Sequence, residues 1–178
     1  TGGKHAGQML TGGLKAAILL NTEPEFDSAA GAAAAKTLGQ AEMVVTLSPF
    51  KANMAFSDVL LPIAPFTETS GSFVNAEGRL QSFHAVVKPL AETRPAWKVL
   101  RVLANLLEIP GVAFETSQEV LARATAKPLA ASNATRAAIN LAAAAGTPAV
   151  ASIYQLDSIV RRAPSLQLTA DARQEVAP

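Results

Sequence analysis

Along the first third of the chain the apolar positions come in short unbroken runs rather than in alternation. Residues 16–20 form one run and stop at Asn21-Thr22-Glu23-Pro24; residues 43–47 form a second, ended by Ser48-Pro49. Residues 59–63 make a third, interrupted by Pro62 and closed by Pro65. Runs of this length with turn residues at both ends predict buried strands. Between the first two, Asp27 or Ser28 is placed to cap a helix over 29–38, where alanine supplies high propensity, with Gly39 where a helix-ending glycine is wanted. Strand, helix, strand at this spacing predicts a βαβ unit with parallel strands and a right-handed crossover. Strands that are apolar throughout predict a sheet covered on both faces.

The period then changes. Residues 72–75 and 79–83 flank Ala76-Glu77-Gly78, which predicts a hairpin with Asn75 opening a type I turn and Gly78 in the left-handed position that closes it. Pro95 opens a helix running to about Leu107, with Val99, Leu100, Leu103, Leu106 and Leu107 as its apolar stripe and Trp97 as a core anchor. Pro110-Gly111 ends it. Thr116 or Ser117 is placed to cap a short helix from about Glu119 or Val120 to Ala124. Residues 126–151 are alanine-rich and read as helix plus linker, 154–160 as a last short helix, and 169–178 as a tail. The expected fold is α/β: a Rossmann-like parallel-sheet half-domain with an inserted β-hairpin over 1–111, followed by a helical appendage and tail over 112–178.

Composition changes this picture in three places. Among 178 residues 49% are hydrophobic and only 16% charged, against roughly a quarter in ordinary domains. With a mean hydropathy of +0.24 this suits a piece that packs against other protein. A net charge of +1 without a basic stripe argues against nucleic acid, and no apolar run approaches the length of a membrane span. The absence of cysteine removes disulfides, Cys-ligated zinc and iron–sulfur clusters from these residues. The glycine-rich start (Gly2-Gly3, Gly12-Gly13) without an initiator Met reads as an excerpt from a longer polypeptide.

The most specific pattern is Asp58-Val59-Leu60-Leu61-Pro62 followed by Glu68-Thr69-Ser70-Gly71-Ser72-Phe73-Val74-Asn75-Ala76-Glu77-Gly78-Arg79-Leu80-Gln81. It resembles the molybdopterin oxidoreductase superfamily, whose members carry D-V-V-L-P and then E-x-x-G-[TS]-x-x-N-x-E-G-R-x-Q. Glu92-Thr93-Arg94-Pro95-Ala96-Trp97 is similar to that family's G-E-x-R-P-x-W helix opening, with Ala91 standing where the pattern has glycine. Within the superfamily, Ser82-Phe83-His84, Val87-Lys88-Pro89 and residues 97–106 resemble the G chain, the large iron–sulfur subunit of respiratory NADH:quinone oxidoreductase (complex I). Residues 153–157 and 160–164 resemble the end of that chain. The resemblance runs over roughly 16–168 and is weak from 126 to 150.

It implies a subunit that helps carry electrons from NADH to quinone through iron–sulfur clusters lying outside these residues. It further implies other complex I subunits as partners and a peripheral position on the cytoplasmic side of a bacterial inner membrane. Two alternatives stand beside it: half of a pterin cradle in a molybdenum enzyme, and a free-standing Rossmann-like binding module.

Candidate chemistry is sparse. Asn21-Thr22-Glu23-Pro24 and Thr46-Leu47-Ser48-Pro49 leave the carboxyl ends of two strands, where α/β sheets place ligands and pterin-binding relatives contact their dinucleotide. No glycine-rich phosphate turn follows either strand, and Glu23-Pro24-Glu25 is expected to form an exposed acidic loop that repels phosphate. Glu68, Glu77 and Arg79 are expected to be structural rather than an acid–base set, with Arg79 tying the hairpin to the preceding loop. His5 and His84 lie far apart without metal-site spacing. Ser70-Gly71-Ser72 lacks the frame of a nucleophile elbow. The expectation is no catalytic, cofactor-binding or metal residue in this chain.

Overall fold

The computed structural model describes residues 3–126 and 152–173. In chain order these carry α1 (Ala6–Met9), β1 (Ala16–Leu20), α2 (Pro24–Asp27), α3 (Ala32–Leu38), β2 (Met43–Ser48) and β3 (Val59–Pro62). There follow β4 (Gly71–Val74), β5 (Leu80–Phe83), α4 (Ala96–Leu106), α5 (Ser117–Thr125), α6 (Ile153–Leu156), α7 (Pro164–Gln167) and α8 (Ala170–Arg173). Strands β1, β2 and β3 form a parallel sheet in that order, and β4 and β5 form a separate antiparallel pair. The fold is α/β, as the apolar runs require.

The chain divides into two units, Thr1–Thr46 with Lys51–Leu60 and Ala142–Pro178, and Leu47–Phe50 with Leu61–Leu141. In the first, Ala34, Leu38, Val44 and Thr46 are sealed from solvent, with Ala52 nearly so. Ala34 and Leu38 are one helical turn apart, so α3 buries a single apolar face. Thr46 tolerates full burial because its hydroxyl lies 2.7 Å from that of Ser57. The central strand β2 is the buried one. β1, at the sheet edge, alternates exposed and half-buried positions, with Ile18 and Leu20 exposed. The expectation of a sheet covered on both faces therefore fails at β1, where the alternate positions Ala16, Ile18 and Leu20 leave one face of the strand open to solvent.

Helix boundaries in this unit also differ from expectation. The helix expected over 29–38 begins only at Ala32, because Gly31 adopts φ +53° immediately before it; α2 lies upstream of the expected stretch. Neither Asp27 nor Ser28 caps α3; the N-cap is Gly31, with no side-chain bond. Gly39 is right-handed (φ −65°), not left-handed, and its amide bonds back to the Ala35 carbonyl at 2.9 Å. At the start of the chain, the glycine-rich run holds α1, capped reciprocally by His5 and Gln8.

In the second unit Leu47, Ile63 and Ala64 form the buried apolar set, with Ser48 buried beside them. The Ser48 carbonyl accepts from Ile63 N–H, and the Arg94 carbonyl accepts from Ala64 N–H, which joins the start of α4 to the strand exit. The hairpin pairs Gly71 with Phe83, Ser72 with Ser82, Phe73 with Gln81 and Val74 with Leu80. Gly71 is needed there: a Cβ would lie 2.8 Å from the Phe83 ring, which leans across to stack on Phe73 at 5.0 Å. At the tip, Gly78 has φ +78°, its N–H donates to the Asn75 carbonyl, and Asn75 Oδ1 accepts from the amides of Glu77 and Arg79.

Pro95 is the N-cap of α4 rather than part of its first turn. Trp97, Val99, Leu100 and Leu103 are only half-buried, and Leu106 and Leu107 are exposed, so Trp97 is not a fully buried anchor. Thr116 caps α5, its hydroxyl oxygen accepting from Glu119 N–H.

The reading of 126–151 lies outside the described residues apart from Ala126. The helix expected over 154–160 is shorter and broken: α6 stops at Leu156, and Asp157 Oδ1 accepts from the amides of Ile159 and Val160 to start a tight turn. The expected tail contains α8.

Candidate functional site

Of the two strand exits singled out, that of β1 is the more heavily built. Asn21 turns the chain in the left-handed region (φ +49°), a conformation asparagine tolerates. Beyond it the Thr22 carbonyl accepts from Asn53 Nδ2 at 2.9 Å, which fixes the loop against the segment after β2. Glu23 is then turned inward, not outward: its side chain is 10% exposed. Pro24 is buried as well, so the exposed acidic loop expected from Glu23-Pro24-Glu25 is corrected. A proline at the start of α2 sets this geometry, and it leaves Asp27 directly over the Glu23 amide, which donates to Asp27 Oδ2 at 2.7 Å.

Two arginines from residues 152–173 meet these carboxylates. Arg162 makes a fork: Nη1 to Glu23 Oε1 at 2.7 Å and Nη2 to Glu23 Oε2 at 3.0 Å. Arg161, with its side chain 5% exposed, reaches Asp27 Oδ1 at 2.7 Å through Nη2. Its Nη1 lies 3.1 Å from Glu23 Oε2, an ion pair outside hydrogen-bond alignment. Arg161 Nε donates to the Gln155 carbonyl at 3.0 Å, and its guanidinium sits 4.6 Å from the centre of the Phe26 ring. Arg161 and Glu23 are almost sealed from solvent, whereas Asp27 and Arg162 stay 28% and 34% exposed, so it is the inner charges whose desolvation is tolerable only when paired. Burial opposes ionisation of Asp27, but the Glu23 amide, the Arg161 guanidinium and the Thr22 hydroxyl outweigh it and hold the carboxyl below its ordinary range.

The segment that carries the arginines is itself well tied. Gln167 Nε2 donates to the carbonyls of Tyr154 and Val160, and its Oε1 accepts from Gln155 Nε2. Beside the exit a cavity of about 430 Å³ is lined by Met9, Leu10, Leu14, Ile18 and Leu38, with Thr22, Asp27 and Ser28 as its polar rim. Among the described residues, no lysine or arginine lines it. The described residues of the exit do not fit the phosphates of a pterin dinucleotide: both guanidiniums already hold carboxylates, and the cavity lining includes a carboxylate and, among those residues, no cation.

The other sequence candidates are dispersed. Thr46 faces Ser57 and Asn53 as buried structural polarity, and Ser48 Oγ accepts from the Phe50 amide. Glu68 Oε2 accepts from Leu90 N–H at 2.9 Å, while Glu77 and Arg79 pair loosely at 3.8 Å with both side chains largely exposed. Arg79 therefore does not tie the hairpin to the Glu68 loop; Glu68 ties that loop to the turn at Leu90 instead. His5 is a helix cap, and no group of three metal-binding side chains occurs among the described residues. Gly12 and Gly13 both have positive φ, with open space around each. Ser70 and Ser117 hydroxyls lie 2.8 Å apart. Sequence reasoning passed over Asp27, Arg161 and Arg162 as partners. The available signal was complementary charge, Glu-Pro-Glu-Phe-Asp after a strand and an Arg-Arg pair before Pro164.

Among curated proteins, a stretch of 52 residues is 44% identical to a Staphylococcus aureus protein named "Putative formate dehydrogenase", covering 29% of this chain and 5% of that protein. A stretch of 53 residues is 43% identical to the mitochondrial NADH-ubiquinone oxidoreductase 78 kDa subunit of Candida albicans, covering 30% of this chain and 7% of that subunit. A "Probable oxidoreductase" of Bacillus subtilis is 42% identical over 52 residues, 29% of this chain and 5% of that protein. The matched stretch thus spans only a small part of each of these relatives. Residues 2–106, more than half of the chain, match the molybdopterin oxidoreductase family, and the chain belongs to that family.

Proposed function

We propose that the chain is a structural, non-catalytic part of the G subunit of an NADH:quinone oxidoreductase, within an assembly that passes electrons from NADH to quinone. The observation that carries the structural half is the β1 exit, where a ligand would be expected and where Glu23 and Asp27 are held by Arg161 and Arg162. The NADH:quinone half is supported by the likeness to the Candida 78 kDa subunit and by the G-chain-like wording of residues 82–106. In this reading the electron carriers are iron–sulfur clusters held elsewhere in the parent, and this chain holds no cofactor. The partners are the other subunits of the complex, at the cytoplasmic face of a bacterial inner membrane. No helix among the described residues is long and apolar enough to cross a membrane, which accords with a peripheral place.

A second reading, a molybdenum-dependent oxidoreductase, is favoured by the name of the Staphylococcus relative. Elemental analysis of the intact parent separates the two. Iron without molybdenum or tungsten, and co-purification with NADH:quinone oxidoreductase subunits, is expected; stoichiometric molybdenum or tungsten overturns the first reading.

A further inference from the structure

We propose that residues 152–173 are a strap that has taken over the exit of β1, so that this exit is closed to phosphate-bearing ligands whether the strap is docked or released. The inference rests on the structural reading of the exit and adds what closes it.

With the strap docked, both guanidiniums that could hold a phosphate are paired with carboxylates. Arg162 grips Glu23 through two parallel bonds of 2.7 and 3.0 Å, the bidentate geometry by which arginine also holds phosphate. Arg161 is shared between Glu23 and Asp27 and packed on Phe26. Glu23 and Asp27 therefore act as internal anions. Being part of the same chain, they compete with any free anion at a high effective concentration. With the strap released, the guanidiniums leave, and what remains among the described residues is two carboxylates, the Glu23 amide already taken by Asp27. An acidic pair repels phosphate. The usual arrangement of an α/β strand exit, backbone N–H groups and cations aimed at an anion, is inverted here. Complementary charge on two distant segments carries the interaction that a ligand would otherwise supply.

Hydrogen exchange read by mass spectrometry on the full chain tests the latch, and thermal melts with inorganic pyrophosphate test the closure. The amides of 153–168 are expected to be protected in the wild type. In R161A/R162A they exchange faster by about tenfold or more, while those of α4 are unchanged. If that double variant fails to fold, Arg162→Lys is the readable one. It keeps the charge, loses the fork, and is expected to raise exchange in the strap alone by severalfold. Pyrophosphate is expected to leave the melting temperature of wild type and variant unmoved.

Strap amides that exchange like free peptide in the wild type, or unchanged exchange in both variants, overturn the latch. A wild-type melting temperature raised by pyrophosphate overturns the closure. Neither failure touches the assignment to an NADH:quinone oxidoreductase. Molybdenum in the parent would sink that assignment while leaving the exchange result standing.

Discussion

At the scale of single residues, backbone geometry singles out two positions in the family pattern. Ala91 has φ +51° at the place where related sequences carry glycine, and the turn around it is closed by the Thr93 amide on the Leu90 carbonyl. An L-residue there costs about 1–2 kcal/mol, partly offset by the greater freedom glycine has when unfolded. Ala91→Gly is therefore expected to stabilise the chain by up to about 1 kcal/mol, read as a higher midpoint in a urea melt. Gly78 is the opposite case: it sits at φ +78° with open space around it, so the cost of a side chain is conformational and not steric. Gly78→Val is expected to lose about 1–2 kcal/mol. Gly39→Ala, at φ −65° with only ordinary contacts to Ala35 and Phe56, is expected to lose far less. Equal midpoints for Gly78→Val and wild type would remove the hairpin-turn assignment.

Among elements, what the sequence made legible was local. The three apolar runs became β1, β2 and β3, but only β2, the central strand, is buried along most of its length, while β1 and β3 are edges with exposed positions. Asn75 and Gly78 marked the hairpin because one turn geometry needs both. What stayed hidden was long-range. Nothing periodic in 153–168 announces that Arg161 and Arg162 will meet residues more than a hundred positions earlier, and the exit was misread as open acid for that reason. The contact between α2 and the strap carries its own pH dependence. The folded Asp27 carboxyl titrates below its ordinary value of 3.8, so the unfolded chain takes up that proton first. The stabilisation is complete above about pH 4 and disappears as pH falls through the folded value. Asp27→Asn is expected to remove that part of the acid slope in melts at a pH series, and an unaltered slope would mean that Asp27 is not held as described.

For the whole molecule, family membership and the exit chemistry bear on what the chain binds. Neither β1 nor β2 is followed by a G-x-G-x-x-G turn, and the described part of the β1 exit presents no unengaged cation to a dinucleotide. Titration of the chain with NADH, followed by calorimetry, is expected to be flat; micromolar binding would revive a free-standing dinucleotide module. The latch also has a kinetic side. Glu23 and Arg162 are 139 residues apart, so their meeting closes a long loop. Such closure grows costlier only logarithmically, about 0.6 kcal/mol per doubling, but it cannot be repaid until both ends are already ordered. On a ribosome the carboxylates emerge long before their arginines and stay hydrated until those arginines arrive. The strap should therefore dock after the folding transition state, and Arg162→Ala should hasten unfolding while leaving the refolding rate almost untouched in stopped-flow denaturant jumps. A refolding rate that falls in step with stability would place the latch in the nucleus instead.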